Sequence, residues 1–262
     1  MSTFSHRMMQ KYKASKRSSI IVYFILRIFI IITAISQFAL GEIANGLLCI
    51  FTLLLFTLPT FLSSKLKIEL PNTLEAIIYI FIFAGEILGE IYNFYRIIPF
   101  WDTILHIING FICAGVGFSL VDILNQKSKR LSLSPIYIAI VAFCFSMTVG
   151  VLWEFGEYAV DNVFKADGQK DNIVKNVYSI EINKNGKNTP VVIENIKSTI
   201  IETENGNVIM IDGGYLDIGL NDTMKDLLVN FLGASVFSII GYIYIKKRKM
   251  NGFVGNFIPK RI

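Results

Sequence analysis

Asp102 and His106 stand four residues apart, as do Asp222 and Asp226; Glu154 and Glu157 stand three apart, with Asp161 four further on. On helices these spacings put each set on a single face. The chemistry they suggest is that of a cation site. Close carboxylates resist ionising together unless a cation neutralises them. Oxygen ligands with a single imidazole suit Mg, Mn, Fe or Zn, and the set favours none of these decisively. The candidate metal ligands are Asp102, His106, Glu154, Asp161, Asp222 and Asp226. Glu154 and Glu157 are the candidate catalytic bases, for metal-assisted hydrolysis or transfer in which the metal activates water. No Ser or Cys nucleophile stands out beside them.

Each member of the set also has a plainer reading. Asp102 and Asp222 fall where helices begin, and a carboxylate there is favoured by the helix dipole. Glu157 and Asp161 fit a water interface. Glu86, Glu90 and Asn93 form a further polar stripe, and the two glutamates fit structural partners of Arg96 equally well. His106, Glu154 and Asp226 are hardest to explain structurally, because each lies about a turn or more inside its helix.

The elements that must position these residues are membrane spans. The chain has 262 residues, 53% of them hydrophobic, with a mean hydropathy of +0.54. About six apolar runs approach the roughly 20 residues that cross a bilayer. They cover residues 20–40, 46–62, 74–94, 101–124, 135–158 and 224–245. A carboxylate facing hydrocarbon costs about 2.5–3.5 kcal/mol on insertion scales. Acids carried by such runs must therefore face protein, water or a cation. The fold class expected is an all-α polytopic membrane protein.

Charge placement orients the spans. The net charge is +5 and the isoelectric point near 9.0, a balance that could suggest nucleic acid. Position argues otherwise. Basic residues crowd the N-terminal tail (Lys11, Lys13, Lys16, Arg17), two alternate connections (Lys65 and Lys67; Lys127, Lys129 and Arg130) and the C-terminal tail (Lys246, Lys247, Arg248, Lys249). The other short connections carry few. This alternation is the positive-inside pattern, and it excludes a nucleic-acid footprint. It predicts a multi-pass plasma-membrane protein with both termini cytoplasmic, as basic tails 1–19 and 246–262, and the lipid bilayer as its partner. The first run exceeds the usual signal-peptide core and is followed at once by another, so an uncleaved span is expected.

Residues 161–223 form the one long polar insertion, on the extracytoplasmic side, between spans five and six. Asn185-Gly186 and Asn205-Gly206 are turn signals among β-prone runs at 178–182, 191–196, 199–202 and 208–211, which predicts a small antiparallel meander. A spacer or lid is the favoured role for this β-rich segment, and a docking module for a protein partner is the alternative. Cys49, Cys113 and Cys144 lie within spans and read as packing residues.

At these residues the chain resembles the YjdF-like family of bacterial inner-membrane proteins. The likeness rests on Trp101-Asp102-x₃-His106-x₃-Gly110-Phe111, on Trp153-Glu154-x-x-Glu157, and on Asp222-Thr223-x-x-Asp226-Leu227 followed by Gly233-Ala234. A looser likeness is to VanZ-like membrane proteins. The resemblance implies a polytopic membrane protein with these polar residues in common, and no established reaction. Function is therefore argued from the residues: a carboxylate/histidine site at the outer ends of spans three to six, divalent-metal binding and hydrolytic on a lipid or envelope substrate. The alternatives are a proton- or cation-coupled transporter and a non-catalytic structural or regulatory component.

Overall fold

The computed structural model describes residues 3–66, 68–127, 132–247 and 260–261. Lys67, Lys129, Arg130, Arg248 and Lys249 of the basic connections lie outside the described residues. The fold is mostly helical. Among the described residues eight α-helices run in order: α1 (Thr3–Ala39), α2 (Ile43–Leu55), α3 (Leu58–Leu66), α4 (Asn72–Ile82), α5 (Phe94–Ile97), α6 (Trp101–Lys127), α7 (Pro135–Phe164) and α8 (Leu220–Lys247), with a π-helix (Phe83–Ile91) following α4.

Among the described residues five stretches are long and apolar enough to cross a membrane: Ser19–Ala39, Ile43–Lys65, Trp101–Gln126, Pro135–Phe164 and Leu220–Lys246. Exposed positions along α1 include Ile21, Phe24, Ile28, Ile32 and Ile35. Such a density of exposed aliphatic and aromatic groups suits hydrocarbon rather than water. Gly41, at φ +81°, makes the tight turn between α1 and α2. A β-carbon on Gly46 would overlap the Phe38 ring, so the two helices close on each other beyond that turn. Asn45 Nδ2 donates to Gln37 Oε1 across the same hairpin at 3.1 Å.

The expected third span, 74–94, is not one continuous α-helix. It divides into the 11-residue α4 and the nine-residue π-helix, which is why the candidate spans number five. The physical reason lies in its glycines and in a tryptophan. Gly85 and Gly89 face Tyr95, and at Gly89 a β-carbon would collide with that ring. Trp101 Nε1 donates to the Ala84 carbonyl at 3.1 Å, occupying an acceptor that a regular helix would use itself. Tyr92 N donates to Ile87 O, five residues back, and Asn93 then ends the helix in the left-handed region at φ +58°. π-segments of this kind are uncommon and concentrate at functional sites.

The polar insertion is likewise more divided than the expected meander. With β1 (Ile68–Glu69) preceding it in the chain, the insertion holds six strands: β2 (Asn172–Val174), β3 (Val177–Ser179), β4 (Val191–Ile193), β5 (Ser198–Glu202), β6 (Val208–Asp212) and β7 (Tyr215–Asp217). They pair antiparallel as β2–β7, β3–β4 and β5–β6, each a two-stranded ladder. Gly206, at φ +79°, makes the β5–β6 turn at the Asn-Gly signal. A last short strand, β8 (Lys260–Arg261), pairs with β1.

The chain divides into two compact units, Met1–Gly150 with Leu227–Ile262, and Val151–Asp226. Among its described residues the first unit has two apolar clusters. One gathers Ala114, Phe118, Ile138, Ala142, Ala234 and Phe237 from α6, α7 and α8. The other gathers Ile30, Cys49, Phe56, Tyr79 and Ile87. The second unit holds the insertion and the helix ends that carry it.

Candidate metal centre

The site begins with how closely α6 and α8 approach. A β-carbon on Gly110 would overlap the Asn230 carbonyl, and one on Gly233 would overlap the Ile107 carbonyl. Small residues at both positions let the two backbones touch, as in tightly packed membrane helices. Polar side chains then lock the register. Asn109 Nδ2 donates to Asn230 Oδ1 at 3.2 Å, Asn230 Nδ2 reaches the Ser146 carbonyl at 3.5 Å, and Ser146 Oγ donates to the Gly110 carbonyl at 2.8 Å. Asn230 is fully buried. An amide there is stable only with its hydrogen bonds made, so this network specifies one crossing and no other.

Because α8 is unbroken, the contacts that fix Asn230 and Gly233 also place Asp226, one turn earlier on the same face. On α6 the turn before Asn109 carries His106, and the turn before that Asp102. His106 Nε2 lies 3.4 Å from Asp102 Oδ1. One ligand atom each from Asp102, His106 and Asp226 lie within 4.8 Å of one another. Asp226 is 1% exposed and His106 8%. Two acids, one half-buried and one buried, and an imidazole at this separation could hold a divalent cation, which would offset the negative charge gathered there.

The remaining candidates are placed differently. Asp161 accepts the backbone N–H groups of Gly168 and Gln169, and Asp222 Oδ2 accepts that of Lys170 at 2.9 Å. Both carboxylates thereby hold the segment that follows α7. Gln169 Nε2 donates to Thr223 Oγ1 in the same corner. Lys225 Nζ lies 3.5 Å from Asp222 Oδ1 and 3.7 Å from Asp226 Oδ1. Glu154 is buried, at 4% exposure, one turn beyond Gly150 on α7. Glu157 accepts Trp153 Nε1 at 2.8 Å. Glu86 and Glu90 both lie on the π-helix, half-buried and exposed. Within the insertion, Asp171 is pushed above the usual carboxylate range, by burial first and then by Asp167, Asp161 and Asp217.

Asn109 and Asn230 stand seven residues after Asp102 and eight after Asp222, on the same helix faces as the acids, so their spacing is a signal in the sequence. Ser146 has none, since a lone hydroxyl in an apolar run carries no spacing signal.

A family model described as "Predicted membrane protein (DUF2238)" matches residues 19–247. The chain belongs to this family. The match takes in every span and every residue of the Asp102–His106–Asp226 group. An uncharacterized protein of Thermotoga maritima is 30% identical over 95 residues, 36% of this chain and 47% of that relative, so the chain spans about half of the relative's length. No solved structure matches. As a DUF2238 protein the chain is a multi-pass membrane protein, in contact with the lipid bilayer, and its site must be read from its own geometry.

Proposed function

We propose that this DUF2238 protein is a divalent-metal-binding membrane protein, with Asp102, His106 and Asp226 as ligands near the outer surface. The observation that carries the reading is the burial of Asp226 against His106 and Asp102. A carboxylate taken this far out of water needs positive charge beside it; Lys225 Nζ, 3.7 Å away and half-exposed, supplies part of it, and a divalent cation would supply more, while the asparagine network beneath fixes the position of Asp226. Glu154 is the next candidate ligand or base, being buried on α7. Asp161 and Asp222 already accept backbone N–H groups and lie outside the Asp102–His106–Asp226 group.

The orientation follows from charge. Basic residues at both ends of the chain call for an even number of crossings. α4 and the π-helix together then form a further span, so that the total is six. Their 20 residues, 72–91, would extend about 30 Å if wholly α-helical, close to the hydrocarbon thickness. Both termini then face the cytoplasm of the plasma membrane, and the insertion and the site face outward. The YjdF-like blocks around Asp102, Glu154 and Asp222 are carried by the helices that form this outer end.

If the centre is catalytic, its class is metal-assisted hydrolysis or transfer on a lipid or envelope precursor, with Glu154 or Glu157 taking the proton from the attacking water. A bound metal would supply Lewis acidity there. The competing reading is cation transport, and buried Asn230, Ser119 and Ser238 favour it. Against it stands the packed layer of Ala114, Phe118, Ala142, Ala234 and Phe237, which interrupts the polar residues along α6 and α8.

Elemental analysis of the detergent-purified full chain tests the reading. The wild type is expected to carry a stoichiometric divalent metal. Asp226→Asn and His106→Ala are each expected to weaken metal binding by more than about 100-fold, beyond the usual cost of losing an outer-shell contact. Metal content unchanged in both variants would end the proposal.

A further inference from the structure

A second polar site lies in the other half of the span bundle, at the start of α1's apolar stretch. Ser19, Ile20, Tyr23, Phe24, Thr60, Glu75 and Tyr79 line a cavity of about 340 Å³. This volume falls in the lower range of small-ligand sites, roughly 300–1,000 Å³. Among the described residues of its wall, Glu75 is the one carboxylic acid. Among the described residues Glu75 has no ion pair, and it accepts a hydrogen bond from a neutral phenol, the Tyr79 hydroxyl, at 3.2 Å. Among the described residues that line the cavity there is no lysine or arginine.

Aromatic rings line the same cavity. The Tyr23 and Tyr79 rings lie 5.1 Å apart, and Tyr79 is held by stacking on Phe56 at 5.2 Å. Phe24 meets Tyr23 edge-on at 5.3 Å. The Tyr23 ring already receives one cation: the Arg27 guanidinium sits 5.5 Å from its centroid and donates to its hydroxyl. Arg27 is a turn deeper along α1 and does not line the cavity. One carboxylate, several ring faces and the hydroxyls of Ser19 and Thr60 form the recognition chemistry of an organic ammonium group. Rings attract the cation through their negative faces, and the acid neutralises it. An anion would meet Glu75 with no compensating base among the described lining residues, and a purely apolar ligand would strip water from the acid with nothing in return.

We propose that this cavity binds an ammonium group, carried by an aminophospholipid headgroup or by a free small amine. The site is independent of the metal centre: it shares no residue with it, and its occupancy requires no metal.

Native mass spectrometry of the full chain, with phosphatidylethanolamine and phosphatidylglycerol of matched acyl chains, tests the headgroup source. Ligand-observed NMR with ethanolamine tests the free amine. Retention of phosphatidylethanolamine over phosphatidylglycerol is expected to be about tenfold, the scale of one charge-assisted contact. Glu75→Gln should abolish that preference. Phe24→Ala, at a residue already 55% exposed and so no threat to folding, should weaken it. Ethanolamine binding that is lost in Glu75→Gln, without a lipid preference, would assign the site to a free amine. Equal retention of the two lipids with no ethanolamine binding overturns the proposal. So does an amine preference that survives in a folded Glu75→Gln protein.

Discussion

Asp222 and Asp226 sit one turn apart on α8, both buried, and do different work. Asp222 accepts the Lys170 backbone N–H and so ties the chain leaving α7 to the start of α8. Asp226 groups with His106 and Asp102. The same division separates Asp161, which holds the Gly168 and Gln169 N–H groups, from the acids of the metal group. Residue type and spacing are alike in both places. What differs is the company: backbone donors at one level, an imidazole and a second carboxylate at the next. Carboxylates near a loop find N–H groups that loops leave open, whereas those inside a helix crossing meet only side chains.

The sharpest way to break this contrast is to move the helices apart. Gly233→Ala places a methyl against the Ile107 carbonyl, which as backbone cannot swing aside. It is expected to cost about 1–3 kcal/mol, seen as a lower detergent-unfolding midpoint, and to deplete metal together with stability. Substituting the loop-holding acids should do the reverse. Asp222→Asn and Asp161→Asn are expected to cost about 1 kcal/mol for each weakened charge-assisted bond and to speed proteolysis of the insertion. Metal content should persist. Loss of metal in these two, with the loop still protected, would instead make them ligands.

Lys225 tests the boundary between the two levels, because its ammonium lies within reach of both Asp222 and Asp226. As a half-exposed cation it competes only weakly with a bound metal. Lys225→Met is expected to tighten metal binding by no more than about fivefold, the range of an exposed ion pair, measured by competition with a chelator. The smallest effect belongs to Asp171. Its carboxyl has a folded pKa above the ordinary value of 3.8, so folding binds a proton as pH falls through that window. The insertion should therefore gain local protection from amide exchange on acidification, and Asp171→Asn should remove that part of the gain.

Much of the helical architecture was legible from the chain alone. The apolar runs at 101–124 and 135–158 begin at the first residues of α6 and α7, because Trp101 and Pro135 mark abrupt changes in composition and Pro suits a helix's first turn. The run at 74–94 looked no different, yet it breaks into α and π segments. That break depends on Trp101 and Tyr95, residues from later in the chain whose approach no local pattern reports. The insertion followed the same rule: its β-prone runs and Gly206 turn were readable, while the closing pair β2–β7 joins its two ends and was not.

Composition, hydropathy and the alternation of basic residues determined that this is a multi-pass membrane protein with acids spaced along helix faces, since lipid imposes these demands on each segment separately. Which acids meet was decided by tertiary structure. Gly110 and Gly233 let α6 and α8 touch, the Asn109–Asn230 pair fixed their register, and that register brought Asp226 to His106. Spacing along one helix sets a face; only the packing of another helix against that face selects its partner.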